Sequence, residues 1–311
     1  MFHYNMSQWL FFFYFYSFMG WCFESAWVSL KSKKFINRGF MRGPFLPLYG
    51  SGATMMLVVS MPFRDNVILT YFAGCVGATA LEYVTGVLME TLFQVRYWDY
   101  SGRRFNFQGQ ICLRSTVVWG FFTIMMTRVV HSPIERLALS IPHRTLGYMT
   151  FVVTAYIAAD FALSFKTAID LRNILAKVQK VKEELLRMQK RLDVIAAFNN
   201  DEKEQRRLEH GSRIDELIDG IGQRLSSIKE TIQNVPGAYM DSVREEIAEL
   251  RARYTLYMEG RRNYKELLDF YERDMIRNNP SMVSTTFNDT LDDIKSVVSD
   301  DADKNRRQGI N

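Results

Sequence analysis

Five long, nearly charge-free apolar runs precede Lys166, and they constrain the fold more than any other feature of the chain. A helix needs about 20 mostly apolar residues, at ~1.5 Å rise each, to cross the hydrocarbon core of a bilayer. Residues 7–30 hold one charge, Glu24; residues 67–95 hold only Glu82 and Glu90; residues 146–165 hold only Asp160. Residues 115–130 form a fourth run. Residues 46–62 are shorter and span only if the segment before them also inserts. The pattern predicts an all-α, polytopic membrane helix bundle of about five spans. The first run has no basic leader or small-residue cleavage site and carries an acid, so it is not expected to be a signal peptide.

Charge divides the chain at the same place. Up to Phe165 there are 13 Lys and Arg against 7 Asp and Glu; from Lys166 onward there are 26 against 27. Such bunching excludes a single soluble globule with evenly spread charge. The absence of a continuous basic face argues against nucleic acid as a partner. The lipid bilayer is the partner that the first half demands.

Lys31, Lys33, Lys34, Arg38 and Arg42 follow the first run, and Arg96, Arg103, Arg104 and Arg114 follow the third. Short loops rich in Lys and Arg stay inside. This bias predicts an outer N-terminus and a cytoplasmic C-terminus in the plasma membrane. Arg128, Arg136 and Arg144 near the fourth loop run mildly against it. Cys22, Cys75 and Cys112 have neither metal nor disulfide spacing, and the four histidines are scattered. Reduced thiols and no metal or cofactor are expected.

Beyond Phe165 the apolar period becomes a heptad. Leu171, Ile174, Val178, Val181, Leu185, Met188, Leu192 and Ile195 alternate by three and four, the pattern of a coiled-coil seam. No Pro or Gly separates this run from the fifth apolar one, so a single rod from about Leu146 to Phe198 is expected, broken at Asn199-Asn200-Asp201. Two further series, at 214–232 and 243–271, flank Val235-Pro236-Gly237 and predict a helical hairpin. The expected organisation is a membrane domain at 1–165, a cytoplasmic coiled coil and helical hairpin at 166–279, and a mostly disordered acidic tail at 280–311, with one short helix near 287–298. A lone strand cannot bury the seam, so either a homo-oligomer or pairing with the hairpin is expected.

The intramembrane acids point to a polar interior, because a carboxylate in a bilayer is costly unless it faces protein or water. Glu24, Glu90 and Asp160 lie roughly 10 Å from the cytoplasmic boundary, and Glu82 roughly 21 Å from it. Gly74, Ala78, Glu82, Gly86 and Glu90 recur every four residues, giving a face that a neighbouring helix can approach closely. The acids either line a cytoplasm-facing cavity or form salt bridges that hold the bundle together. Two loops also look built. Residues 37–52 contain Asn37, Arg38, Gly43, Pro44 and Tyr49 among three further glycines and Pro47, an irregular backbone whose N–H and C=O groups are expected to be free for a ligand. Residues 98–113 contain Trp98, Asp99, Tyr100 and Asn106, and their aromatics also suit the headgroup level.

In order, Gly20-Trp21-x-x-Glu24, Asn37-Arg38-Gly39-Phe40-x-x-Gly43-Pro44-x-x-Pro47-x-Tyr49-Gly50-x-Gly52, Leu81-Glu82-Tyr83-x-Thr85, Glu90, Trp98-Asp99-Tyr100-Ser101, Asn106, Gly109, Ile111-Cys112-Leu113, Ser115 and Trp119-Gly120 carry a resemblance to the ABC-transporter type IV permease family of bacteria. The resemblance covers about residues 7–165, with a departure at Phe107-Gln108 and Gln110. It implies a polytopic transporter permease. The chain has no Gly-Lys dipeptide, hence no phosphate-binding loop of the G-x-x-x-x-G-K-[ST] kind, so ATP hydrolysis would need a separate ATPase subunit. Three functions stay open: a permease-like subunit, a non-catalytic membrane-anchored scaffold that recruits cytoplasmic partners, and a lipid-active membrane enzyme. No triad or HExxH motif supports the third, and the expectation is that the chain is not an enzyme.

Overall fold

The computed structural model describes residues 4–198, 214–232, 245–255 and 268–307. They form two compact units, Met1–Asp170 with Asp274–Thr285, and Leu171–Arg273 with Thr286–Asn311.

In the first unit α1 (Met6–Ser32) opens on a capping box. The Asn5 side chain accepts from the Gln8 N–H, and the Gln8 side chain accepts from the Asn5 N–H, each at 2.9 Å. It stops at Lys33, in the left-handed conformation. α2 (Pro47–Ser60) starts on a proline, whose missing N–H a first turn does not need. α3 (Val67–Phe93) is capped by Asn66, which accepts from the N–H groups of Ile68 and Leu69. α4 (Leu113–Met125) passes through a π turn, Met126–Val130, into α5 (His131–Ser140). α6 (His143–Phe198) is one 56-residue helix, the uninterrupted rod that the sequence predicts. The strands β1 (Asn106–Phe107) and β2 (Ile111–Cys112) pair antiparallel in a small hairpin between α3 and α4.

Among the described residues three segments are long and apolar enough to cross a membrane: Val67–Phe93, Leu113–Ser140 and His143–Val194. That is fewer than the five spans expected. α1 has the length, at 27 residues, but its Tyr, Trp, Ser and Gly dilute its apolar character. α2 has 14 residues, about 21 Å of helix against a ~30 Å hydrocarbon core. Packing is that of a membrane bundle. Phe12, Tyr16, Met56, Leu57, Ala78 and Met126 share a core that joins α1 to α4. Tyr14 meets Thr154 at 2.5 Å, tying α1 to α6. Val76, Phe121, Phe151 and Val152 are exposed, as a lipid-facing surface requires.

The second unit is a helical bundle. Leu185, Met188 and Leu192 of α6 form one core with Ile218, Ile221 and Leu225 of α7 (Ile214–Ile232) and with Ile247 and Leu250 of α8 (245–255). The heptad seam is therefore buried by the chain's own helices. This supplies the pairing with the hairpin series, without drawing on a second copy. The hairpin turn at Val235-Pro236-Gly237, the break at Asn199-Asn200-Asp201, and the positions Val243, Tyr257 and Tyr264 lie outside the described residues. α9 (Phe270–Asn278) starts at a second capping box, formed by Asp269 and Glu272.

The one short helix expected near 287–298 is present and runs on to Arg307. Residues 280–285 belong to the first unit, and α10 (Asn288–Arg307) is a 20-residue helix. Leu291, Ile294 and Val298, spaced by three and four, give α10 an apolar stripe, and all three are buried. Lys182 of α6 pairs with Asp293 of α10 at 2.9 Å. The acidic composition suggested disorder, but one short stripe and one ion pair suffice to dock the helix.

Candidate functional site

Two loops and one returning segment build the site. In the first loop Gly39 has φ +126°, a conformation open to glycine and strained for other residues. The Trp21 indole N–H donates to Asn37 Oδ1 at 2.6 Å, and the Asn37 amide donates to the Arg42 carbonyl at 2.6 Å. The Gly43 N–H donates to Asp160 at 2.8 Å, and the Pro44 turn closes with the Phe45 N–H on the Gly43 carbonyl. The N–H groups of Ile36, Arg38 and Arg42 donate to Ser29, Ser25 and Ser164. This corrects the expectation of backbone groups left free for a ligand. The glycines serve a loop that is tied to α1 and α6.

The second loop folds back along α3. The Trp98 indole N–H donates to the Gln110 carbonyl at 3.0 Å, and the Tyr100 hydroxyl donates to Glu82 at 3.1 Å. These aromatics therefore face protein groups, which departs from a headgroup-anchoring role. Asp99 accepts from the Ser101 N–H and hydroxyl, and Arg96 lies 3.6 Å from it. Burial pushes the Asp99 carboxyl up, but the Ser101 bonds and the Arg96 charge outweigh it and leave the group below its ordinary range. Asn106 holds the turn by donating to the Arg103 carbonyl at 2.7 Å and accepting from the Gly109 N–H at 3.1 Å.

Residues 279–285 close over the same end. Val283 pairs with Arg96 as an antiparallel bridge, Ser284 donates to the Gln94 carbonyl, and Thr285 donates to Glu90 at 2.7 Å. Arg38 donates to Asn279 Oδ1 at 2.9 Å and to the Ser281 hydroxyl at 2.8 Å. Its Nε lies 3.9 Å from Glu24, which also accepts from the Tyr49 hydroxyl at 2.7 Å. Burial lowers the Arg38 guanidinium from its ordinary value, and Glu24 opposes that shift.

These elements enclose a cavity of about 430 Å³. Of the residues singled out in the sequence, Glu24, Arg38, Tyr49, Glu82, Trp98 and Tyr100 line it. The others hold its frame. Glu90 is paired to Arg96 at 2.8 Å and accepts from Gln110 at 2.6 Å. Asp160 anchors Gly43, while Asn37, Pro44, Asp99 and Asn106 shape the loops. The single cavity of four acids thus resolves into two acids at the wall and two in structural pairs. Much of the remaining wall is apolar, including Leu46, Met56, Leu81, Met89 and Phe161.

Glu82 stands apart from the other acids. It is 6% exposed, in the middle of α3. Oε2 accepts from the Trp119 indole N–H at 3.0 Å and lies 3.2 Å from the Ser115 hydroxyl, which is also 2.9 Å from the Cys112 carbonyl. Oε1 accepts from Tyr100. Among the described residues every partner of Glu82 is a neutral donor. The small-residue face makes this approach possible: Gly74 packs on Thr123, and Gly86 packs on Gln110 and Trp98.

Sequence reasoning took Ser115 and Trp119 only as parts of a motif, although a Trp four residues after a Ser on one helix face was a usable signal. Nothing in the sequence announced Asn279, which reaches the wall from 240 residues downstream of Gly39. Among the described residues no three His, Cys, Asp or Glu side chains are grouped to hold a metal ion.

Residues 11–165 match the family described as "Putative ABC-transporter type IV". The membrane half of this chain belongs to that family. No curated protein matches the chain, and no solved structure does. The matched region contains α1 to α5, both loops and the first part of α6, hence nearly the whole cavity wall. The segment 279–285 and the helical unit lie beyond it. The chain is a membrane protein related to ABC transporters.

Proposed function

We propose that this protein is a permease-like, multi-pass transport subunit of the bacterial plasma membrane. The single observation that carries this reading is the cavity: about 430 Å³, walled by apolar side chains, with a carboxylate buried at mid-helix on α3. A carboxylate at that depth is costly unless it serves a ligand or pathway. α1 and α2 complete five membrane passages, which alternate between an end built from residues 33–46 and 94–112 and an end where Asn5 meets His143. With the basic loops inside, the cavity faces the cytoplasm and the C-terminus is cytoplasmic. Energy comes from a separate ATPase subunit, and the chain itself is not an enzyme.

Thr85 lines the cavity, and a Thr85→Cys variant, in a background lacking Cys22, Cys75 and Cys112, tests the reading. In inside-out vesicles a membrane-impermeant thiol reagent should label it, and the labelling should be absent in right-side-out vesicles. Labelling from the outer face alone would overturn the orientation. The scaffold alternative draws on the helical unit, which lies outside the family match. It gains support if transport-linked phenotypes survive loss of Glu82 but not loss of residues 199–311.

A further inference from the structure

We infer that the cavity binds an amphiphile carrying a positively charged, alkylated nitrogen, with the nitrogen seated against Glu82; this deepens the transport reading and rests on it. Arg38, Glu24 and Glu82 are the ionisable acids and bases at the wall apart from the tyrosines. Arg38 faces Glu24 at 3.9 Å, and its remaining donors are taken by Asn279 and Ser281. That pair is neutral, so an ionised Glu82 gives the wall a net charge of −1.

Glu82 accepts from an indole N–H and a tyrosine hydroxyl, and the Ser115 hydroxyl beside it has one proton to share with the Cys112 carbonyl; none of the three brings a positive charge. Neutral donors solvate a carboxylate without neutralising it, and a lone charge inside a bilayer calls for a counter-charge. Glu90 carries Arg96 and Glu24 carries Arg38, while Asp160, which also has only neutral donors among the described residues, lies off the cavity and is held by the Gly43 N–H. At Glu82 the open side is the cavity.

The lining around that carboxylate specifies the cation further. Trp98, Tyr100 and Trp119 all line the cavity, two of them bonded to Glu82 itself. Aromatic faces beside a carboxylate favour a diffuse, weakly hydrated ammonium such as a trimethylated nitrogen, which makes no directional hydrogen bonds. The volume suits one ligand of moderate size. Leu46, Leu81, Met89 and Phe161 offer an apolar bed for a chain attached to that nitrogen. Such a nitrogen arrives either on a phosphocholine-type lipid headgroup or on a free single-chain amine.

The test uses the full chain in phosphatidylglycerol nanodiscs, titrated with dodecyltrimethylammonium, dodecylphosphocholine and dodecyl sulfate below their micelle thresholds. Binding is read by quenching of tryptophan fluorescence with bromine-tailed analogues and by thermal stabilisation. One or both ammonium ligands should bind at least tenfold more tightly than the sulfate. Glu82→Gln should remove that preference, and Glu82→Asp, which keeps the charge, should retain part of it. Tighter phosphocholine binding identifies a lipid headgroup, and tighter trimethylammonium binding identifies a free amine. Equal binding of all three, unchanged in Glu82→Gln, overturns the ligand class and leaves the cavity reading standing. Failure of all three to bind, with Thr85→Cys unlabelled from either face, overturns both.

Discussion

The two units of this chain bury charge in opposite ways. In the helical unit buried cations have acids at hand: Lys182 with Asp293, and Arg224 with Asp193. In the membrane unit Glu24 and Glu90 are likewise matched, whereas Glu82 and Asp160 have only neutral donors among the described residues, and of these two it is Glu82 that lines the cavity. On the proposed reading, the difference separates charges that hold structure from a cavity-wall charge that awaits a ligand.

The largest expected effect lies in the helical unit, where the comparison assumes a sealed, self-contained seam. Leu185 is fully buried between α7 and α8. Leu185→Asp should lower stability by about 4 kcal/mol, since an unpaired carboxylate enters an apolar core. Hydrogen exchange over 181–198 and 214–225 should report the loss, while the mass of the native particle in detergent should not change. A change in subunit number with intact exchange protection would show that the seam joins copies instead.

Breaking the matched pairs comes next. Arg96→Gln leaves Glu90 without its cation and Lys182→Met leaves Asp293 without its own, and each should cost about 3 kcal/mol. Denaturant midpoints check both. Equal stability of either variant with the parent would remove the structural half of the comparison.

A smaller effect is expected at the small-residue face. A side chain at Gly86 would meet Gln110, which donates to Glu90, and Trp98 at the cavity wall. Gly86→Val should lower the melting temperature by the equivalent of about 2 kcal/mol through overpacking. It should also narrow the cavity, which ligand titration would register.

The face at Gly74, Ala78, Glu82, Gly86 and Glu90 was legible because four-residue spacing survives from sequence to helix without tertiary information. The long α6 rod was legible for the same reason, as no breaker interrupts it. The division of the acids was not. Whether Glu90 or Glu82 takes the nearby arginine depends on how residues 94–112 fold back, which a left-handed Gln94 and Phe105 decide. The docking of 279–285 was invisible because its bonds are mostly between side chains or single backbone groups and a distant loop. Such contacts leave no period to read. The family match covers residues 11–165 and says nothing of that segment.

The smallest predicted change is in the pH profile. Glu272 is held up to about 7, first by burial and then by its hydrogen bond with Asp269. A carboxyl raised in the folded state contributes stability at low pH that is lost as pH rises from the unfolded value of 4.5 through about 7. Glu272→Gln should flatten that slope in the helical unit by under about 1 kcal/mol, given partial solvent screening. An unchanged slope would place the titrating group elsewhere.

The most direct test of the central claim compares Glu82→Gln with Glu90→Gln by thermal unfolding in the same detergent without added ligand. A glutamine at position 82 keeps an acceptor for Trp119, and its amide can donate to the Tyr100 oxygen, while the unmatched charge disappears. The account predicts that Glu82→Gln melts at or above the parent temperature. It predicts that Glu90→Gln, which strands Arg96, melts several degrees below it. A loss in Glu82→Gln as large as that in Glu90→Gln would contradict the account, and would make Glu82 one more structural acid of the bundle.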